Sequence, residues 1–352
     1  MRLRKLLELV LIFVMTLSIF TGCVGNKQKE PISRTEFLMD TVIMLKIYDK
    51  PEEKILDEAV NRLIEIENRM SVDIDTSDVS LINKNAGIKP VKVNDDVYYV
   101  IDKAKHFAEI SNGAYEPTIG PLVELWNITG TDREREKASI PTEEQIKEKM
   151  ALVDYNDLEL MEDNFVYLNR KGMKLDLGGI AKGYAADEMK RIFKEHGVGS
   201  AIIDLGGNVY ALGEKENGEP WKIGIQDPFE IAGNYMGILN VKDRSIVTSG
   251  DYERYFEYKG KRYHHIIDAK TGYPSENEVS GISIASDKSI DGDALSTALF
   301  VLGVNEGTKL VNQIENIDTV FITKNDEVII QEKLQDEFTL KKGNLKLIIN
   351  PY

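Results

Sequence analysis

Apolar and polar residues alternate with two different periods along this chain, and the periods divide it into elements. Between Glu52 and Met70, Ile55, Ala59, Leu63, Ile66 and Met70 fall on one helical stripe, so the spacing predicts an amphipathic helix. Asp95–Ile110 predicts another, stopped at Asn112-Gly113. Pro141, Thr142 and Gln145 form a capping-box start for a helix over Thr142–Met150. Helices are also predicted over Ile180–His196, Asp293–Leu302 and Asn305–Ile314. Runs of aliphatic and aromatic residues predict strands at Val42–Ile47, Ser200–Asp204, Trp221–Gln226, Tyr235–Val241, Tyr252–Tyr258 and Gly281–Ser286. The strands come in runs rather than in regular strand–helix alternation. That points to an α+β fold of mixed or antiparallel strands with packed helices. No Pro- or Ser-rich linker interrupts residues 35–345, so one large unit is expected.

The N-terminus breaks the pattern. Arg2, Arg4 and Lys5 precede an apolar run, Leu9–Phe20, that is short for a membrane span and reads as a signal peptide over residues 1–22. Phe20-Thr21-Gly22-Cys23 is similar to a bacterial lipobox, although Phe20 stands where an aliphatic residue is usual. On that reading Cys23 is lipidated, residues 23–34 are a polar tether, and the fold begins near Thr35 on the extracytoplasmic face of the cell membrane. Cys23 is the sole cysteine, which leaves no intrachain disulfide, cysteine metal site or thiol catalysis. The net charge of −15 argues against a nucleic-acid partner. An anionic ligand would have to be held by local amides and a cation, not by a global field.

Leu175–Phe193, LDLGGIAKGYAADEMKRIF, reads as a buried strand carrying Asp176 near its end, then Gly178 and Gly179, then a helix. AIIDLGGNVYALG repeats the arrangement with Asp204, Gly206 and Gly207. Glycine corners bring backbone close to a phosphate or cation, and two of them suggest a phosphate-rich ligand gripped at two points. Asp293 and Thr297 are an i, i+4 pair on one helical face. A carboxylate and a hydroxyl so placed suit a hard cation such as Mg²⁺, and Asp293 equally fits a helix cap with Thr297 merely packing. His264 and His265 are adjacent among four histidines, and in a strand at most one of them enters a site. Val247–Asp251 is rich in hydroxyls that fit a turn. Tyr115 fits either ring stacking or the core, and Met39 either a soft wall for a ring or packing.

Taken in order, FLMDT, GAYEPTIGPLVELW, LDLGGIAKGYAAD, IDLGGNV, VTSGDYERYF, HHIIDAKTGYP and DALSTALFVLG resemble the ApbE family, the FAD:protein FMN transferases. The resemblance covers nearly all of residues 35–315 and implies one catalytic unit of the ApbE type over residues 35–345. It implies that Met39, Ala114, Tyr115, Glu116, Asp176, Lys182 and Ile267 surround FAD. It implies Mg²⁺ on Asp293, Thr297 and the Gly179 carbonyl. Glu116 stands where the family most often has Asp, and Asp73 where an aromatic is frequent. The implied reaction moves FMN from FAD to a Thr or Ser hydroxyl of an extracytoplasmic subunit of a membrane redox complex and releases AMP. His265 is the candidate general base, with Asp268 as its orienter. The same residues fit two other outcomes: a Mg²⁺-dependent FAD pyrophosphatase, with water as acceptor, and a flavin-binding lipoprotein without chemistry.

Overall fold

The computed structural model describes residues 30–128, 140–231 and 233–350. The predicted signal peptide, Cys23 and most of the tether lie outside the described residues. The described chain opens as a hairpin of β1 (Ile32–Leu38) and β2 (Thr41–Ile47). Helices α1 (Glu53–Met70) and α2 (Asp78–Lys84), strand β3 (Val91–Lys92) and helix α3 (Asp95–Ile110) follow. Helices α4 (Gly120–Trp126) and α5 (Glu143–Met150) and strands β4 (Leu158–Met161) and β5 (Phe165–Leu168) lead to α6 (Ala181–Glu195). Then come β6 (Ser200–Leu205), β7 (Asn208–Gly213), β8 (Trp221–Gln226), β9 (Tyr235–Val241) and β10 (Arg244–Gly250). Two short hairpins pair β11 (Tyr255–Tyr258) with β12 (Lys261–His264) and β13 (Ile267–Asp268) with β14 (Tyr273–Pro274). The rest is β15 (Val279–Ser286), α7 (Ser289–Val311), β16 (Ile317–Thr323), β17 (Glu327–Gln331), β18 (Phe338–Leu340) and β19 (Lys346–Asn350).

A nine-stranded sheet, β1-β2-β6-β7-β10-β15-β16-β17-β19, organises the molecule. Its pairs are antiparallel except β17–β19, which is parallel. Strand period two gives the sheet two buried faces. Ile203, Leu205, Tyr210, Leu212, Ile282 and Ile284 meet the apolar stripes of α1, α6 and α7. Ala211, Ile246, Ala285, Val320 and Ile322 meet Trp221, Ile225, Met236, Leu239 and Phe338 of a small sheet, β18-β9-β8. The result is three layers: helices, large sheet, small sheet. This is the expected α+β class.

Four expectations are corrected. The stretch carrying Asp176 is extended but is not a strand of any sheet. Met173, Leu175 and Leu177 alternate inward, yet the Asn83 side chain takes the place of a neighbouring strand, donating to the Leu175 carbonyl and accepting the Leu175 N–H. The two helices predicted after Asp293 form one run broken at Gly303 (φ 75°, ψ −178°), and Glu278 caps the restart by accepting the Val304 N–H. That run begins at Ser289 because Asp187, on α6, accepts the N–H groups of Ser289 and Ile290. Asp293 therefore lies inside a helix and is not its cap. Finally, the fold starts before Thr35, since Ile32 pairs with Ile47, and it extends past residue 345 through β19. A chain ended at Leu345 strips β17 of its parallel partner. Its melting temperature should fall by roughly 2–8 °C in calorimetry; an unchanged value would show that β19 adds nothing.

Candidate active site

A cleft of 1230 Å³ opens where the β6–β7 corner, β8, β10, the loop after α3 and the facing ends of α6 and α7 converge. Ala114, Tyr115, Glu116, Asp176, Gly179, Lys182, His265, Ile267, Asp293 and Thr297 all line it. Met39 and Asp268 do not. Met39 sits at the β1–β2 turn with φ 54°, donates its N–H to Glu67 and packs against the helical core. Its neighbour Thr41 reaches the cleft instead.

The cation corner is set by one close approach. A Cβ on Gly183 would lie 2.7 Å from the Asp293 Cβ, so only glycine lets α6 press this closely on α7. The freed Gly183 N–H donates to Asp293 Oδ2 at 2.7 Å. Burial pushes the Asp293 carboxyl up, while Lys182 and the Gly183 N–H pull it back. One helical turn on, Thr297 Oγ1 lies 3.3 Å from where a Gly179 Cβ would stand, so Asp293, Thr297 and Gly179 come together. The Tyr115 ring edge is 3.3 Å from the same point, and among the described residues its buried hydroxyl has no partner. Among the described residues no three His, Cys, Asp or Glu side chains cluster. A cation here would rest on one carboxylate, one hydroxyl and main-chain oxygen. That hard donor set fits Mg²⁺, which takes few protein ligands and fills its sphere with water and phosphate.

The histidine pair divides as strand geometry requires. His264 is buried, packs edge-on against Phe300, and its Nε2 bonds the Ser275 carbonyl. His265 faces the cleft. Its Nδ1 lies 3.3 Å from the Arg254 carbonyl, which can only accept, so Nδ1 carries the proton and Nε2 keeps a lone pair. Asp268 is not the orienter. Its Oδ1 accepts the Lys270 N–H inside its own turn, and the backbone of Arg254 does the orienting. Burial first, then His264 and Arg254, press the His265 pKa down to about 3.

The glycine corners work differently from expectation. Gly178 N–H donates to Asp176 Oδ1, and Gly207 N–H to Asp204 Oδ1, so neither amide is free for a phosphate. Burial raises both carboxyls. Glu116 also lines the cleft with both oxygens engaged, by Thr118 and by the Tyr155 N–H. Lys182 Nζ donates to the Gly178 carbonyl at 3.1 Å, which holds its charge at the corner. Sequence reasoning missed Asn208, Tyr252, Glu253 and Arg254, all on the cleft wall. Among the described residues, Asn208 Nδ2 and the Tyr252 hydroxyl are buried without partners. Glu253 is pushed up to about 7 by the surrounding protein, a rise that water in an open cleft reduces. The run DYERYF was the signal for the last three, and the end of IDLGGNV the signal for Asn208.

Because His265 stays neutral in the fold, acid costs stability. Below pH 6.5 the unfolded chain takes up its proton, and the folded chain does so only near pH 3. From pH 7 to 4.5 the parent should therefore lose melting temperature relative to His265→Gln; parallel curves would show that His265 titrates normally.

Residues 39–321 match the sequence profile of the ApbE family. A FAD:protein FMN transferase of Klebsiella pneumoniae is 40% identical over 87% of this chain and 94% of its own length. One of Treponema pallidum is 37% identical over 86% and 87%. The crystal structure of the ApbE protein of Thermotoga maritima superposes with a TM-score of 0.79 at 30% identity, covering 87% of this chain and 99% of that one. The flavin transferase ApbE of Vibrio cholerae gives 0.74 at 26% identity, over 89% and 96%. These matches run through the cleft and the sheet that carries it, and the chain belongs to the ApbE family.

Proposed function

We propose that this chain moves FMN from FAD to a Ser or Thr hydroxyl of a partner protein and releases AMP, with Mg²⁺ at the Asp293 corner. The chain is a transferase, in keeping with the shared name of its relatives. The observation that carries the reading is one cavity holding both an unengaged His265 Nε2 and the Asp293–Thr297–Gly179 corner. A protein this acidic cannot neutralise a pyrophosphate by its overall field. A Mg²⁺ bound at the corner supplies that charge and Lewis acidity. Lys182 adds a fixed positive charge beside it. In the step itself the acceptor oxygen bonds to the FMN-side phosphorus, and the bond from that phosphorus to the bridging oxygen breaks. His265 Nε2 takes the hydroxyl proton, and AMP carries the bridging oxygen away.

Incubation with FAD and Mg²⁺, with and without a membrane protein fraction, separates the outcomes. Protein-bound FMN plus AMP is expected; free FMN plus AMP regardless of added protein would mark a pyrophosphatase. His265→Ala should slow transfer by about 10²-fold or more while FAD affinity changes little. A structural His265 would lower the melting temperature and leave transfer unchanged. Asp293→Ala should abolish Mg²⁺-dependent turnover, and parental turnover at saturating Mg²⁺ would remove the metal from that corner.

We also propose lipid anchoring at Cys23, on the basic residues, apolar run and single cysteine of the N-terminus. Fatty-acid label should follow the protein and vanish in Cys23→Ser. Equal labelling in that variant rejects the anchor.

A further inference from the structure

The cleft has a second wall that the flavin assignments leave unused. It is made by Ile223, Gly224 and Gln226 of β8 and by the Gly206–Gly207 corner. Along β8, Trp221 and Ile225 point into the core between the sheets, and Lys222 and Gly224 point the other way. Ile223 belongs to the inward set, Gly224 and Gln226 to the outward set, yet all three line the cleft. Neighbours of opposite parity line one cavity only where the strand presents its edge to it.

That edge is free. β8 ends the order β18-β9-β8 and pairs only with β9. Among the described residues, no backbone bond from Lys222 to Ile225 runs to anything but β9. A free edge is a row of unspent N–H and C=O groups, which proteins usually cover or blunt. A Cβ at Gly207 would meet nothing within 4 Å, so the glycine corner is open as well. At the mouth, Phe229 and Ile231 are 50% and 79% exposed.

We propose that this wall binds the acceptor as an extended segment, which adds to β8 as a fourth strand of the small sheet and brings its hydroxyl to His265. The inference rests on the transferase reading above. Main-chain pairing supplies the grip. Phe229 and Ile231 give an apolar contact at the rim. A strand adds to β8 only along an extended stretch, so the occupant is a loop or terminus of the partner protein rather than a helix.

The test starts from the membrane fraction incubated with the full chain, FAD and Mg²⁺. The flavin-bearing peptide is found by mass spectrometry and resynthesised unmodified as a short segment. It should be flavinylated on its own. N-methylation of its main chain should raise its KM about tenfold at alternate positions and little at those between, the signature of one lost ladder bond per second residue. With the hydroxyl residue changed to Ala, the segment should slow hydrogen exchange at the β8 amides. If only the intact folded partner is accepted, if N-methylation acts evenly, or if exchange at the β8 amides is unchanged, the subsite is wrong while the transferase reading stands. If no protein takes up flavin, both fall.

Discussion

The contact of α6 with α7 at Gly183 is the constraint from which the cleft follows. Asp187 and Gly183 sit one turn apart on α6 and meet the first turns of α7. Asp187 starts α7 by capping Ser289 and Ile290, and Gly183 gives its N–H to Asp293 one turn later. Burial raises the Asp187 carboxyl to about 6, and the Ile290 and Ser289 N–H groups pull it back. Once α7 is pinned in register by these bonds, Thr297 falls beside Gly179 with no further freedom. A side chain at Gly183 would push the helices apart and move Asp293 and Thr297 together, so a single backbone contact governs the whole oxygen-donor corner.

The same economy recurs around the cleft. Asp176, Asp204 and Asp293 each hold the N–H of a glycine, at Gly178, Gly207 and Gly183. In each pair the glycine provides tight backbone geometry and the carboxylate fixes it. The first two pairs are self-contained turns. The third joins two helices and places its carboxylate next to a hydroxyl. The third pair thus differs from the first two by what stands beside its carboxylate, not by the Asp–Gly pattern.

That separation decides what the sequence could reveal. Local signals were legible: the capping box at Thr142 and Gln145 forms as read, Asn112 and Gly113 take positive φ where α3 stops, and β8 and β9 begin and end where the apolar runs do. The Asp293–Thr297 pair was legible because i, i+4 spacing fixes a shared face within one element. Non-local choices were not. Asn83 standing in for a strand, Asp187 capping a helix far along the chain, and Arg254 replacing Asp268 as the partner of His265 all depend on contacts that no spacing encodes. The orphaned amide of Asn208 is invisible for the same reason, since its isolation is a property of its surroundings.

The edge of β8 is a case where topology, not composition, creates the opportunity. Its sequence reads as an ordinary half-buried strand, and its partner β9 satisfies one side. β8 is the last strand of the small sheet, and the Gly206–Gly207 corner of the large sheet, both glycines at positive φ, lines the same cleft. The large sheet gives the floor, α6 and α7 supply the charged corner at one end, and the free edge of β8 gives the side. On the proposed reading the polar end holds the dinucleotide and the open backbone edge admits the acceptor, and one layered arrangement yields both.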